Sequence, residues 1–219
     1  MEVLDDNFLY EGGNEKSIES ILENGYETHS VDYIKEAWEL FKKNPGFFIG
    51  FIFINIIIAV VLEFLPNWAT IIQVIITPCL AIGFFQVVKK IDFNEEVEFS
   101  NFFDGFKVWQ QAVPFYILMI IFLIFAFILL ILPGIYLAVG YLFAFPLLAL
   151  YSKEQSLIDV LENSRKIISK NWLNWFGFCW LIVLFNIVGV LCLVIGVIVT
   201  SIVSYIAIYC AYKDVVGIN

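Results

Sequence analysis

The chain predicts an all-α membrane protein of six transmembrane helices. Three observations predict it. Residues 44–88, 108–152 and 171–212 carry no charged side chain except Glu63, and each stretch exceeds 40 residues. As one straight helix each would reach ~60 Å, twice the ~30 Å hydrocarbon core of a bilayer, so each is expected to fold back on itself. A turn signal sits near every midpoint: Pro66-Asn67, Pro133-Gly134, and the region from Gly189 to Gly196. Composition agrees, because 61% hydrophobic residues, 15% charged residues and a mean hydropathy of +0.89 leave too little polar surface for a water-exposed exterior.

Taken in order, residues 1–30 form an acidic tail with eight carboxylates against one lysine and one weak helical fragment, Ser17–Glu23, stopped by Asn24-Gly25; the tail is expected to be a disordered cytoplasmic arm that could recruit a basic partner. Residues 31–214 form the membrane domain, and 215–219 a short cytoplasmic tail. The spans are expected at 47–65, 69–88, 112–132, 135–151, 172–190 and 196–212. Pro45 and Pro114 lie near span starts, where a missing amide hydrogen costs little, whereas Pro78 and Pro146 are expected to kink theirs. Trp38, Trp109 and Trp172 suit one interface and Trp68 the other.

All 12 Lys and Arg residues fall outside the three hairpin tips. Under the positive-inside rule both termini are therefore cytoplasmic, and the net charge of −9 does not oppose this because acidic residues contribute little to orientation. No cleavable signal pattern opens the chain, and insertion is expected to rely on the spans.

The uncharged stretches begin at 44, 108 and 171, spacings of 64 and 63 residues (108 − 44 and 171 − 108). This suggests a triplicated chain, with repeats at about 31–90, 98–152 and 156–212 that all enter from the same side. Such parallel repeats would be related by an axis along the membrane normal. Each hairpin is preceded by an amphipathic segment, with apolar faces formed by Val31, Ile34, Trp38 and Phe41, by Phe99, Phe102, Phe103 and Phe106, and by Leu157, Val160, Leu161 and Ile168. These are expected to lie in the interface as elbows, bringing Lys42, Lys43, Lys107, Arg165, Lys166 and Lys170 near anionic headgroups.

Phe102-Phe103-Asp104-Gly105-Phe106-Lys107, then Leu132-Pro133-Gly134-Ile135-Tyr136, then Asn163-Ser164-Arg165 with Lys170-Asn171-Trp172 resemble the motifs of a broad bacterial integral membrane family. That family comprises the YciC-like proteins and the membrane domain attached to some glycerophosphodiester phosphodiesterases. The resemblance spans roughly residues 31–214 and implies a multi-pass protein of the bacterial cytoplasmic membrane with no assigned activity. It does not carry phosphodiesterase chemistry, which needs clustered histidine and carboxylate groups, and His29 is the sole histidine.

Walker A, GxGxxG, HExxH and GxSxG signatures are missing. No cofactor, metal site or nucleic-acid surface is expected. Cys79, Cys179, Cys192 and Cys210 lie in spans without CxxC spacing and read as small apolar side chains. The candidate intramembrane polar site comprises Asn55, Glu63, Gln73, Thr77, Gln86 and Asn186, with Thr200, Ser201 and Ser204 nearby in sequence. Glu63 would be a functional acid by default, but its place beside a span end allows it to reach the interface. The amides and hydroxyls serve either as interhelical hydrogen-bonding glue or as the lining of a path. Gly83, Gly140, Gly189 and Gly196 suit close helix contact. The expected function is thus a non-enzymatic structural or organising component of the membrane or envelope. A small-solute or lipid transporter or channel is the alternative, and a lipid-acting enzyme lacks an acid–base constellation.

Overall fold

A computed structural model describes residues 15–65, 68–151, 155–191 and 193–218, with side chains described except at 193–195. The Pro66-Asn67 turn, Cys192, Lys153 and the first 14 residues of the acidic tail lie outside them. Every regular element among the described residues is helical: α1 (Ile18–Asn24), α2 (Ser30–Lys43), α3 (Pro45–Glu63), α4 (Ala69–Asp92), a 3-10 segment (Phe99–Val108), α5 (Trp109–Leu129), α6 (Ile131–Gly140), α7 (Ala144–Leu150), α8 (Leu157–Ser169), α9 (Trp172–Leu191) and α10 (Leu193–Val216). Six helical runs are long and apolar enough to cross a membrane, the 3-10 segment with α5 and α6 with α7 each counting as one.

Local chemistry explains most boundaries. Pro45 occupies the first turn of α3, where its missing N–H would be unbonded anyway. Ser156 caps α8, its hydroxyl accepting from the Asp159 amide at 3.2 Å. Glu98 and Asn101 bond each other's backbone at the start of the 3-10 segment. The fourth apolar run breaks at residues 141–143, immediately before the turn that contains Pro146. Proline has no N–H to offer the carbonyl four residues back, so the helix interrupts there. Pro78, by contrast, lies inside a continuous, buried stretch of α4.

Three expectations change. The turn between α5 and α6 falls on Leu130, extended at φ −165° and ψ 157°, not on Pro133-Gly134. Pro133 instead occupies the first turn of α6, and Gly134 lets the Phe127 ring press against the backbone, where a Cβ would collide with it. The tail is not wholly a free arm. From Glu15 onward it folds back, with Ile18 and Ile21 buried against α8 and α10 and the Lys16 amide bonded to the Val216 carbonyl at 2.7 Å. At the other end, Val215, Val216 and Ile218 are buried too, so 215–218 is part of the packed body. Apolar residues interleaved with the charges explain both.

The face that α2 buries also differs. Tyr33, Ala37 and Leu40, spaced by four and three residues, pack against α10 together with Phe41, while Val31 and Trp38 remain exposed. Small Ala37 allows close approach that Trp38 would prevent.

The core concentrates at the ends of the helices remote from the links at 64–68, 130 and 191–193. It includes Phe48 and Phe51 of α3, most of α4 from Pro78 to Val88 with Ile91, Ala112 and Phe115 of α5, Trp175 and Phe178 of α9, and most of α10 from Ile202 to Val216. Link-proximal segments are largely exposed and apolar, with Leu62, Ala126 and Val139 as exceptions. In lipid such surface is already solvated, so association rests on packing contact. Trp175 is the hub of that packing. It stacks on Tyr33 at 6.2 Å and meets Phe143 edge-on at 4.9 Å.

Candidate functional site

The polar residues of the spans separate into two groups. Asn186 of α9 donates from Nδ2 to Ser204 Oγ at 2.7 Å and to the Ile182 carbonyl at 2.9 Å. Ser204 Oγ donates to the Thr200 carbonyl, and the single proton of Ser201 Oγ is directed at the Val197 carbonyl at 2.7 Å, with Asn186 Oδ1 at 3.4 Å as its more distant neighbour. Both amide hydrogens of Asn186 are bonded, and the set ties α9 to α10. Gly189 serves the same contact, since a Cβ there would run into the Thr200 side chain.

The second group is open. α3 and α4 meet through Phe48 and Phe51 against Phe84, at 5.8 and 5.7 Å, but their backbones otherwise stand apart, and α10 closes only part of the gap. The crevice left between them is a cavity of about 320 Å3 lined by Asn55, Gln73 and Thr77 with Phe51, Leu80, Phe84, Ile202 and Tyr205. Asn55 donates to the Phe51 carbonyl at 2.8 Å, one of its two amide hydrogens. Gln73 and Thr77 are exposed to the crevice and make no side-chain hydrogen bond among the described residues. Three of the six candidates thus converge. Asn186 belongs to the other group, Gln86 lies on α4 outside the lining, and Glu63 is exposed at the end of α3.

The basic candidates are placed on the periphery. Lys42 pairs with Glu39 at 2.8 Å and Lys107 with Asp104 at 2.6 Å. Lys43 Nζ donates to Asn94 Oδ1 at 3.0 Å and to the Ile91 carbonyl, which joins α2 to the end of α4. Arg165 forks onto Glu162 through Nε at 2.9 Å and Nη2 at 2.7 Å, with Lys166 at 3.6 Å from the same carboxylate. Hydrogen bonding from Arg165 first, with its charge and that of Lys166 adding, holds the Glu162 carboxyl below its ordinary value. Lys170 is exposed.

Sequence reasoning missed two polar clusters. Asp92 at the end of α4 accepts from Lys213 at 2.7 Å and from the Tyr209 hydroxyl at 2.9 Å, while Lys213 also reaches Glu36 of α2 at 3.2 Å. Tyr26 donates to the Ile167 carbonyl at 2.6 Å and accepts from Trp175 Nε1 at 2.8 Å, and Asn171 Nδ2 donates to the Tyr26 carbonyl at 2.5 Å. Burial pushes the Tyr26 hydroxyl up to about 12. Tyr33 donates to Asp214 at 2.7 Å, and burial followed by that bond raises it as well. These partners lie 117 to 181 residues apart in the chain, beyond any local pattern. Both clusters fasten helices and contain no nucleophile–base pair. Among the described residues no group of His, Cys, Asp and Glu could hold a metal. Comparison with protein-family models, with curated proteins and with solved structures returns no match.

Proposed function

We propose that this multi-pass membrane protein is a non-enzymatic structural or organising component of a bacterial cytoplasmic membrane. Its two termini lie in the cytoplasm and its spans form three parallel hairpins, each entered through an interfacial elbow. The observation that carries this reading is the division of the intramembrane polar groups. One set is closed within the α9–α10 contact and the other opens sideways between α3 and α4, so among the described residues no polar thread links one end of the helices to the other. We read α2, the 3-10 segment and α8 as these elbows; their apolar faces pack on α10, on α4 and on α6 and α7, which leaves their basic side chains at the surface for anionic headgroups. The resemblance to the YciC-like family, through Asp104-Gly105, Pro133-Gly134 and Ser164-Arg165, supports the same location. Thiol labelling of Leu132→Cys in intact cells is expected from the external side only. Labelling from the cytoplasm alone would refute the arrangement.

The transporter reading keeps one specific support, the meeting of Asn55, Gln73 and Thr77 in one cavity. Purified protein in sealed vesicles is expected to give no solute flux above that of empty vesicles. Flux that disappears on Gln73→Leu substitution would install transport in its place.

A further inference from the structure

We infer that the α3–α4–α10 crevice is a binding site for an uncharged lipid carrying a hydrocarbon chain and a single hydroxyl-type head, of the diacylglycerol kind. This goes beyond a structural role. Depth is the first argument. Asn55 lies eight residues before the end of α3 (63 − 55) and Thr77 eight residues after the start of α4 (77 − 69). At about 1.5 Å per residue both stand ~12 Å from the link, close to the middle of a ~30 Å core, with Gln73 one turn nearer the link.

Unbonded amides and hydroxyls are costly at that depth, and helices normally satisfy them against one another. The α9–α10 pair does so around Asn186, both of whose amide hydrogens are bonded. The α3–α4 pair leaves Gln73 and Thr77 lining an apolar cleft, with Asn55 beside them bonded through one amide hydrogen only. They offer both donors and acceptors to whatever enters.

Charge sets the class of occupant. No Lys, Arg, Asp or Glu lines the cleft. A phosphate or carboxylate brought to this depth would lose its hydration and find no counter-charge, whereas a hydroxyl or ester needs only what the amides and threonine provide. Size and shape agree. A volume of about 320 Å3 takes the head and the upper part of one chain, the remainder lying in the bilayer outside the open cleft, and the Phe51, Leu80, Phe84 and Ile202 walls suit hydrocarbon. A second copy fits poorly, because a helix with its side chains is ~10 Å or more across and the cleft is concave. Entry is lateral, since α3 is mostly exposed along its length.

The test uses the full chain in phosphatidylcholine nanodiscs with a diacylglycerol bearing a diazirine in one acyl chain, and phosphatidic acid with the same chains. Cross-links are expected on α3 and α4 around residues 51–62 and 73–84, displaced by unlabelled diacylglycerol and not by phosphatidic acid. The combined Asn55→Leu, Gln73→Leu, Thr77→Val variant is expected to weaken displacement about tenfold, as loss of one or two net hydrogen bonds implies. Ala81→Phe, which fills the cleft from α4, is expected to abolish the site-specific label, with unchanged thermal unfolding as the check on folding. Cross-links spread evenly over the exposed faces of α3, α5 and α9 would overturn the proposal. So would equal displacement by phosphatidic acid, or efficient disulfide pairing between copies of Gln73→Cys.

Discussion

Gly105 packs against Gly83 with backbone touching backbone: a Cβ on Gly105 would sit 2.9 Å from the Gly83 nitrogen and collide with the Cys79 carbonyl, and one on Gly83 would collide with the Phe102 carbonyl. Neither collision can be relieved by rotating a side chain. Gly105→Ala and Gly83→Ala are each expected to cost about 3 kcal/mol, or to prevent folding, by prising the 3-10 segment off α4. Gly177, with nothing near its Cβ, is the control. Gly177→Ala is expected to gain up to about 1 kcal/mol from helix propensity. Thermal unfolding in detergent separates the two classes.

Tyr26 fastens the N-terminal segment through one hydroxyl that both donates and accepts. Tyr26→Phe strands the Trp175 N–H, while the Ile167 carbonyl keeps the Lys170 amide, at a cost of about 1–3 kcal/mol. Hydrogen exchange should accelerate over α1 while α4 keeps its protection. Uniform acceleration would mean that the segment folds as one with the body.

Alkaline pH should act on the same bond. The Tyr26 hydroxyl ionises at about 12 in the folded chain against 10.0 ordinarily, so its contribution is complete below pH 10 and fades as pH rises through 12. Tyrosinate absorbance followed alongside protease sensitivity near Glu15 tests this. The acidic side runs the other way. Glu162 is held below its ordinary value of 4.5, so the contribution of its pairing with Arg165 is present above that pH and lost as pH falls through the lower folded value. The carboxylate is 39% exposed, which keeps the pair below about 1 kcal/mol, and Glu162→Gln should flatten the acid limb only slightly.

Lys213 neutralises an Asp92 side chain that is only 12% exposed. Lys213→Met leaves that carboxylate dependent on Tyr209 and is expected to cost about 2 kcal/mol. Asp92→Asn should cost less, because an amide oxygen still accepts from Tyr209. In the double variant the losses should fall short of their sum, the signature of direct coupling.

Number and position of the apolar helices were legible because a missing charge is a local property, readable residue by residue. Turn positions were less so. Pro133-Gly134 carries a turn signal, yet proline suits a helix's first turn equally well, and the tight Phe127–Gly134 contact moved the bend to Leu130. At the N-terminus the short helix at Ser17–Glu23 was legible, and α1 forms at Ile18–Asn24, but the surrounding charge hid that Ile18 and Ile21 suffice to dock it. Within the candidate site, polar identity picked out Asn55, Gln73 and Asn186 alike. Which of them face a cleft and which face one another depends on how far α3 stands from α4, and no periodicity encodes that spacing.

The bend between α5 and α6 has one further consequence. Leu129, Leu130, Ile131 and Leu132 are all exposed, and a single residue makes the connection. An apex whose side chains are all hydrocarbon offers water only the backbone carbonyls that end α5 and the amides that open α6, and gives a soluble subunit, protease or antibody no polar side chain to grip. Around this helix pair, conversation with the aqueous world is one-sided, conducted from the opposite face where the carboxylates and lysines gather.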